Sequence, residues 1–224
     1  MNDIFTDSAE YLVAYKPQNV SLSKYTEELK ERFKLSYLKS VYTLDMLAGG
    51  VVVLAKDEAC YAKLKDLYEK GEFEFTFYIV GVGELKQSKG TLNAFCARDK
   101  KSGNLSRVPM LSSDAEHIVA EYELLEQVQK IALVKFKLNN FFEGSLRFCA
   151  FDLGIPIFGD ASFGGDSLAK NTNLSLILGE VKFNIENGEN LNFVAMPSET
   201  KPWTYFNIEK YCGFKGGSYG RKII

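Results

Sequence analysis

The 224-residue chain holds one histidine, one tryptophan and four cysteines. The cysteines (Cys60, Cys96, Cys149 and Cys212) are far apart, with no Cys-x-x-Cys pair, and no His/Cys cluster has the spacing of a metal site. They read as reduced, buried thiols of a cytoplasmic protein. The lone histidine, His117, reads as a surface residue. Long hydrophobic runs are missing too. The longest, Val51–Ala55, falls far short of the roughly 20 residues a membrane span needs. The acidic opening, Met1-Asn2-Asp3-Ile4-Phe5-Thr6-Asp7, has no basic stretch before an apolar one, so no secretory signal is expected. Gly81-Val82-Gly83 and Gly164-Gly165 lack the spacing of a dinucleotide-binding or phosphate-binding loop. No repeat with a period of 20–50 residues and no low-complexity segment occurs.

Charge of one sign is scarce as well. A net charge of −2 and a pI of about 5.7 argue against a protein that coats nucleic acid, because phosphate contacts need Lys and Arg to displace counterions. A local basic groove stays open: Lys86, Lys89, Arg98, Lys100, Lys101 and Arg107 share one segment, and Lys215, Arg221 and Lys222 lie near the end. A solvated loop surface is the plainer reading of that segment.

The remaining composition, 46% hydrophobic and 25% charged, is that of an ordinary globular protein long enough to bury a substantial core. Strands are expected at Ile4–Asp7, at Tyr11–Lys16 ending before Pro17, and at Val51–Leu54. Phe73 to Val82 alternates, with Phe73, Phe75 and Phe77 on one face and Tyr78 on the other, so one buried face is expected. Further strands are expected at Ile118–Leu125, Ala132–Leu138, Leu174–Leu178, Glu180–Ile185 and Leu191–Ala195, with Asn187-Gly188 as a hairpin turn. One helix is expected from about Lys24 to Arg32, capped by Ser21 or Ser23; another follows Asp57 and ends at Gly71. The class is α+β with a large, mainly antiparallel mixed sheet and flanking helices and loops.

Two motifs carry the chemistry. Tyr42-Thr43-Leu44-Asp45-Met46-Leu47-Ala48-Gly49-Gly50 runs into an apolar strand that ends in Ala55-Lys56. Gly144-Ser145-Leu146-Arg147 precedes Leu153-Gly154-Ile155-Pro156-Ile157-Phe158-Gly159-Asp160. Together they resemble the signature of the RluA/RsuA-type pseudouridine synthases, whose first block reads H-R-L-D-x-x-T-S-G. Val13-Ala14-Tyr15-Lys16-Pro17 and Thr76-Phe77-Tyr78 extend the likeness, which covers about residues 4 to 197. The chain departs from the family at Tyr42, Thr43 and Gly144, where the family has His, Arg and His, and at Glu143.

The resemblance implies a pseudouridine synthase-like catalytic fold over residues 1–212, in two lobes around a central cleft, with a flexible tail at 213–224. The catalytic-type sequence begins almost at Met1, so no separate N-terminal domain of the S4 kind is expected. Asp45 takes the place of the catalytic carboxylate, acting on the sugar as a nucleophile or by stabilising a glycal-type intermediate. Arg147 is the expected bidentate partner of Asp45, and Tyr78 the ring that stacks on the uracil and moves a proton. Tyr42, Thr43 and Leu146 are implied as substrate contacts. The substrate would be a uridine in structured ribosomal or transfer RNA, flipped out of its stack. No cofactor, metal or membrane is called for, and a monomer is expected. Two other readings stay open: an RNA-binding pseudoenzyme, motivated by the replaced residues, and a protein-interaction module using Phe141 and Phe142 as an exposed surface.

Overall fold

A computed structural model of the chain describes residues 3–165, 173–185, 189–212 and 221–223. The elements run β1 (Ile4–Asp7), β2 (Tyr11–Lys16), α1 (Leu22–Arg32), β3 (Lys39–Ser40), β4 (Gly49–Ala55), α2 (Glu58–Glu69), β5 (Glu74–Val82), β6 (Lys89–Arg98), β7 (Leu105–Arg107), β8 (Glu116–Val128) and β9 (Ile131–Leu138). Then follow α3 (Ser145–Asp152), β10 (Leu176–Ile185), β11 (Glu189–Val194), α4 (Glu209–Cys212) and β12 (Arg221–Ile223). The fold is α+β. Twelve strands among the described residues form one sheet, ordered β1-β2-β4-β10-β5-β9-β8-β6-β7, with β3 on β4, β11 on β10 and β12 on β11. All pairings are antiparallel except β4 with β10. The turn expected at Asn187-Gly188 and the stretch 213–220 lie outside the described residues, as do the side chains of Cys212 and of β12.

The sheet forks at its centre, and the fork places the functional site. β4 and β10 touch only at Gly49–Ile177 and Gly50–Leu178; beyond that point β4 takes β3 and β10 takes β11. Gly50 sits at φ +137°, and a Cβ there would collide with the Leu178 backbone, so glycine is required where the two strands meet. Leu174–Leu178 and Glu180–Ile185, read separately in the sequence, meet in one strand that begins at Leu176 and has an irregular register at Gly179.

The helices begin where their caps dictate. The Ser21 side chain accepts from Lys24 N ahead of α1, and Asp57 accepts from Cys60 N at 2.7 Å ahead of α2. Tyr25, Leu29, Cys60 and Leu64 are the buried faces. The expectation of one buried face on β5 is corrected: every residue from Phe75 to Gly81 is buried, because β5 lies in the middle of the sheet between β10 and β9 and is covered on both sides. Alternation survives in β6, where Leu92, Ala94 and Cys96 face the core and Thr91 and Asn93 face water.

Part of the basic segment is structural. Arg98 donates to the carbonyls of Gly103 and Glu143, both at 2.9 Å, and Arg107 makes a two-pronged pair with Asp152. The β6–β7 hairpin thereby braces α3. His117 is exposed, stacked on Phe95, with Nε2 2.8 Å from Asn93 Oδ1. Cys60, Cys96 and Cys149 are free and buried, and burial pushes the Cys60 and Cys96 thiols up to about 11. Among the described residues no helix is long and apolar enough to cross a membrane.

Candidate active site

Asp45 sits on the tight turn that delivers the chain into β4. Its Oδ1 accepts from Leu47 N at 2.8 Å, and its carbonyl accepts from Ala48 N at 3.1 Å, so the carboxylate is held by its own turn. The turn is tied down from outside by the last residue of β2 and a residue just after it. Lys16 is fully buried and donates to the carbonyls of Pro17 (2.9 Å), Val20 (2.8 Å) and Met46 (3.3 Å). Gln18 Nε2 donates to Leu47 O at 3.2 Å and to Leu174 O at 2.5 Å, which locks the turn to the approach of β10. These anchors were not assigned a role from the sequence; an ammonium-bearing residue closing a wholly apolar strand was the available signal.

Burial lowers the Lys16 pKa from its usual 10.5 to about 8, and the charge of Asp45 opposes that shift. In the unfolded chain Lys16 keeps its proton up to about 10.5; in the folded protein it gives it up near 8. Between these values the unfolded state holds more protons, so the contribution of Lys16 to stability rises with pH, while below about 8 the cost of burying the ammonium applies in full. Urea unfolding of wild type and Lys16→Met from pH 7.5 to 10.5 is expected to show a stability difference that shifts towards wild type as pH rises. Parallel curves would refute the assignment.

Arg147 lies in the first turn of α3. The glycine before that helix, Gly144, caps it at φ +83°, a conformation that lets the 139–144 loop turn into it. The two-pronged partner expected for Arg147 is corrected. It is Asp160, with Nε to Oδ2 at 2.7 Å and the second contact at 2.8 Å. Asp160 is within reach because Leu153–Gly159 folds straight back after α3, and its side chain is only 1% exposed. Asp45 acts on the guanidinium through its charge, adding to the stronger effect of Asp160 in raising the Arg147 pKa.

One pocket receives Asp45, Leu146 and Arg147, with Leu44 and Ala48 from the turn, Phe77 from β5, Leu176 from β10, and Phe141, Phe142 and Gly144 from the loop ahead of α3. Its free space is about 10 Å³, room for roughly one water, so a uracil needs the loop side chains to move. The surroundings are apolar around one carboxylate and one guanidinium rather than broadly basic.

Tyr78 is not brought to this pocket. Successive side chains on a strand point to opposite faces, and the ring in the pocket is that of Phe77. Tyr78 lies across Gly179, where any Cβ would collide with its ring. Tyr42 is also displaced from the expected role of substrate contact. It is buried among Tyr68, Phe73, Phe75 and Phe141, and its hydroxyl donates to Val51 O at 3.0 Å. Thr43 is exposed on the rim, in an adjoining groove. Phe141 is buried and Phe142 half-buried, both in the pocket wall, so they do not form the exposed surface that the interaction reading required. We expect Tyr78→Phe to leave turnover nearly unchanged and Phe77→Ala to lower it about tenfold or more, the worth of one base-stacking contact. Product yield per enzyme checks both.

The fold matches the solved human RNA Pseudouridylate Synthase Domain Containing 4 (TM-score 0.74, 19% identity, 87% of this chain and 88% of that one). It also matches human RNA Pseudouridylate Synthase Domain Containing 1 (TM-score 0.77, 17% identity, 89% of this chain and 84% of that one). In sequence the chain is similar to the uncharacterized RNA pseudouridine synthase YhcT of Bacillus subtilis, 27% identical over 60% of this chain and 44% of that protein. It is likewise 27% identical to Ribosomal large subunit pseudouridine synthase C of Rickettsia bellii, over 66% of this chain and 48% of that protein. The chain thus spans about half the length of these relatives. No family profile matches it. In sequence the chain is thus similar to RNA pseudouridine synthases, and its fold is that of pseudouridylate synthase domains.

Proposed function

We propose that this protein isomerises uridine to pseudouridine in structured RNA, ribosomal or transfer, with Asp45 as the catalytic carboxylate. The observation that supports it most is the convergence of Asp45 and Arg147, about a hundred residues apart in sequence, on one apolar pocket of a pseudouridine synthase fold. In the reaction the C1′–N1 bond breaks, the uracil turns, and C5 bonds to C1′ before losing its proton. Asp45 acts on the sugar in the first half. Phe77 offers a flat ring to the uracil but has no hydroxyl, and Arg147 keeps its proton, so the C5 proton passes to Asp45. Arg147, clamped by Asp160, holds a fixed positive charge in the wall of the same pocket as the carboxylate. The domain of residues 1–212, a cytoplasmic location and a monomeric state belong to the same reading.

A second reading, an RNA-binding protein without turnover, draws on the closed pocket and the missing ring hydroxyl. Unmodified ribosomal and transfer RNA transcripts, incubated with the protein and digested to nucleosides, separate the two. Pseudouridine in the digest supports the first; RNA binding without it supports the second.

A further inference from the structure

Outside the pocket, the feature that points most clearly to a ligand is the groove between α1, β3 and α2, about 460 Å³ in volume, a size typical of small-molecule sites. One wall is the face of α2 bearing Tyr61, Lys65 and Tyr68, spaced four and three residues apart and so aligned along the helix. Lys39 Nζ lies 4.0 Å from the centre of the Tyr61 ring, and Lys65 Nζ lies 4.5 Å from that of Tyr68. Exposed hydroxyls of Ser23 and Thr43 stand on the rim. The one carboxylate in the lining, Glu27, has Lys30 3.7 Å away.

The groove adjoins the candidate active site along the 42–45 turn. Thr43 lines the groove, while Leu44 and Asp45 line the pocket. Tyr42 forms part of the groove wall, stacks on Tyr68, and packs edge-on against Phe141, which belongs to the pocket. Tyr68 also donates to the Phe141 carbonyl at 3.1 Å. Beyond Thr43 the groove holds two cations over aromatic faces, Lys39 and Lys65, the second with Glu69 3.7 Å away.

Resting on the pseudouridine synthase reading, we propose that this groove binds the single-stranded RNA segment flanking the target uridine, with Lys39 and Lys65 on its phosphates and Tyr61 stacked on a base. A phosphate draws the ammonium off the ring, and a base takes the exposed face in its place, so one Lys–Tyr pair accommodates one nucleotide. Such contacts tolerate any base, and the rim hydroxyls suit the 2′-OH.

The test uses the full chain and a fluorescein-labelled oligouridine of about a dozen nucleotides, with affinity read by anisotropy over a salt series. Lys39→Gln combined with Lys65→Gln is expected to cost about tenfold in affinity near 0.1 M salt and to flatten the log–log salt slope by about 1.4. Tyr61→Leu is expected to cost about fivefold and leave the slope unchanged. Equal affinity and slope in wild type and both variants would overturn the groove. So would failure of the wild type to bind the oligomer. In either case the nucleoside digest on folded RNA decides the catalytic reading separately, because it does not depend on this groove. Thermal unfolding of each variant is a control; the substituted side chains are exposed or half-buried, so native-like transitions are expected.

Discussion

Replacing Asp45 by Asn abolishes pseudouridine formation, by a factor of more than about 10³, while the protein unfolds at nearly the wild-type temperature. The size of the loss follows from the number of duties placed on one group. Among the residues of the pocket, Asp45 is the only carboxylate, and Arg147 cannot serve as a base at any ordinary pH. The structural cost is small because Oδ1 accepts from the Leu47 amide, and the Asn side-chain oxygen accepts the same bond. The turn is in any case held by Lys16 and Gln18 through its carbonyls rather than through the carboxylate. Nucleoside analysis together with a thermal melt checks both halves. Residual product at a tenth of wild type would move the chemistry to another residue.

The second large effect concerns stability. Arg147→Ala is expected to cost about 3–5 kcal/mol, a large share of the total for a protein of this size, because it leaves Asp160 buried and unpaired. Asp160 is 1% exposed and Arg147 16%, and their two hydrogen bonds at 2.7 and 2.8 Å tie α3 to the segment that follows it. Asp160→Asn is milder, since the amide oxygen still accepts one bond from the guanidinium, and it is informative for another reason: it frees Arg147 to move towards Asp45. If the Arg147–Asp160 pair is what positions the guanidinium, Asp160→Asn lowers turnover more than it lowers the unfolding midpoint in urea. A loss confined to stability would assign the pair a structural role alone. The exposed pair of Asp66 on α2 and Lys70 just after it serves as a contrast, where substitution is expected to leave the unfolding midpoint in urea close to that of wild type.

Contiguity decided how much of this was legible in the sequence. Asp45 and the strand after it lie within a dozen residues, so turn, strand and carboxylate were read together. The caps at Ser21 and Asp57 were readable because each is a local contact between a side chain and an amide three residues on. α3 left no such trace. Leu146, Phe148, Cys149 and Ala150 are all buried, so the helix has no polar stripe to set a 3.6-residue period, and its cap is a glycine without a side chain. β6 does alternate, but its basic neighbours made it look like a loop surface. The exchange of Tyr78 for Phe77 is a slip of one residue on a strand, and one residue is enough to carry a side chain to the other face of the sheet. A tyrosine was sought by residue type, whereas the strand's facing chose its neighbour. Likewise, Asp160 was visible as part of a motif but not as the partner of Arg147. That pairing depends on a reversal of the chain which spacing alone does not reveal.

The central claim, that the pocket around Asp45 converts uridine to pseudouridine, is met most directly by tritium release. RNA transcribed with C5-tritiated uridine loses its label to water when C5 bonds to the sugar. Incubated with wild-type protein, unmodified ribosomal and transfer RNA should release tritium in proportion to the pseudouridine formed, and none should be released with Asp45→Asn. Release at equal rates from both proteins, or none from wild type on RNA that it binds, would contradict the account.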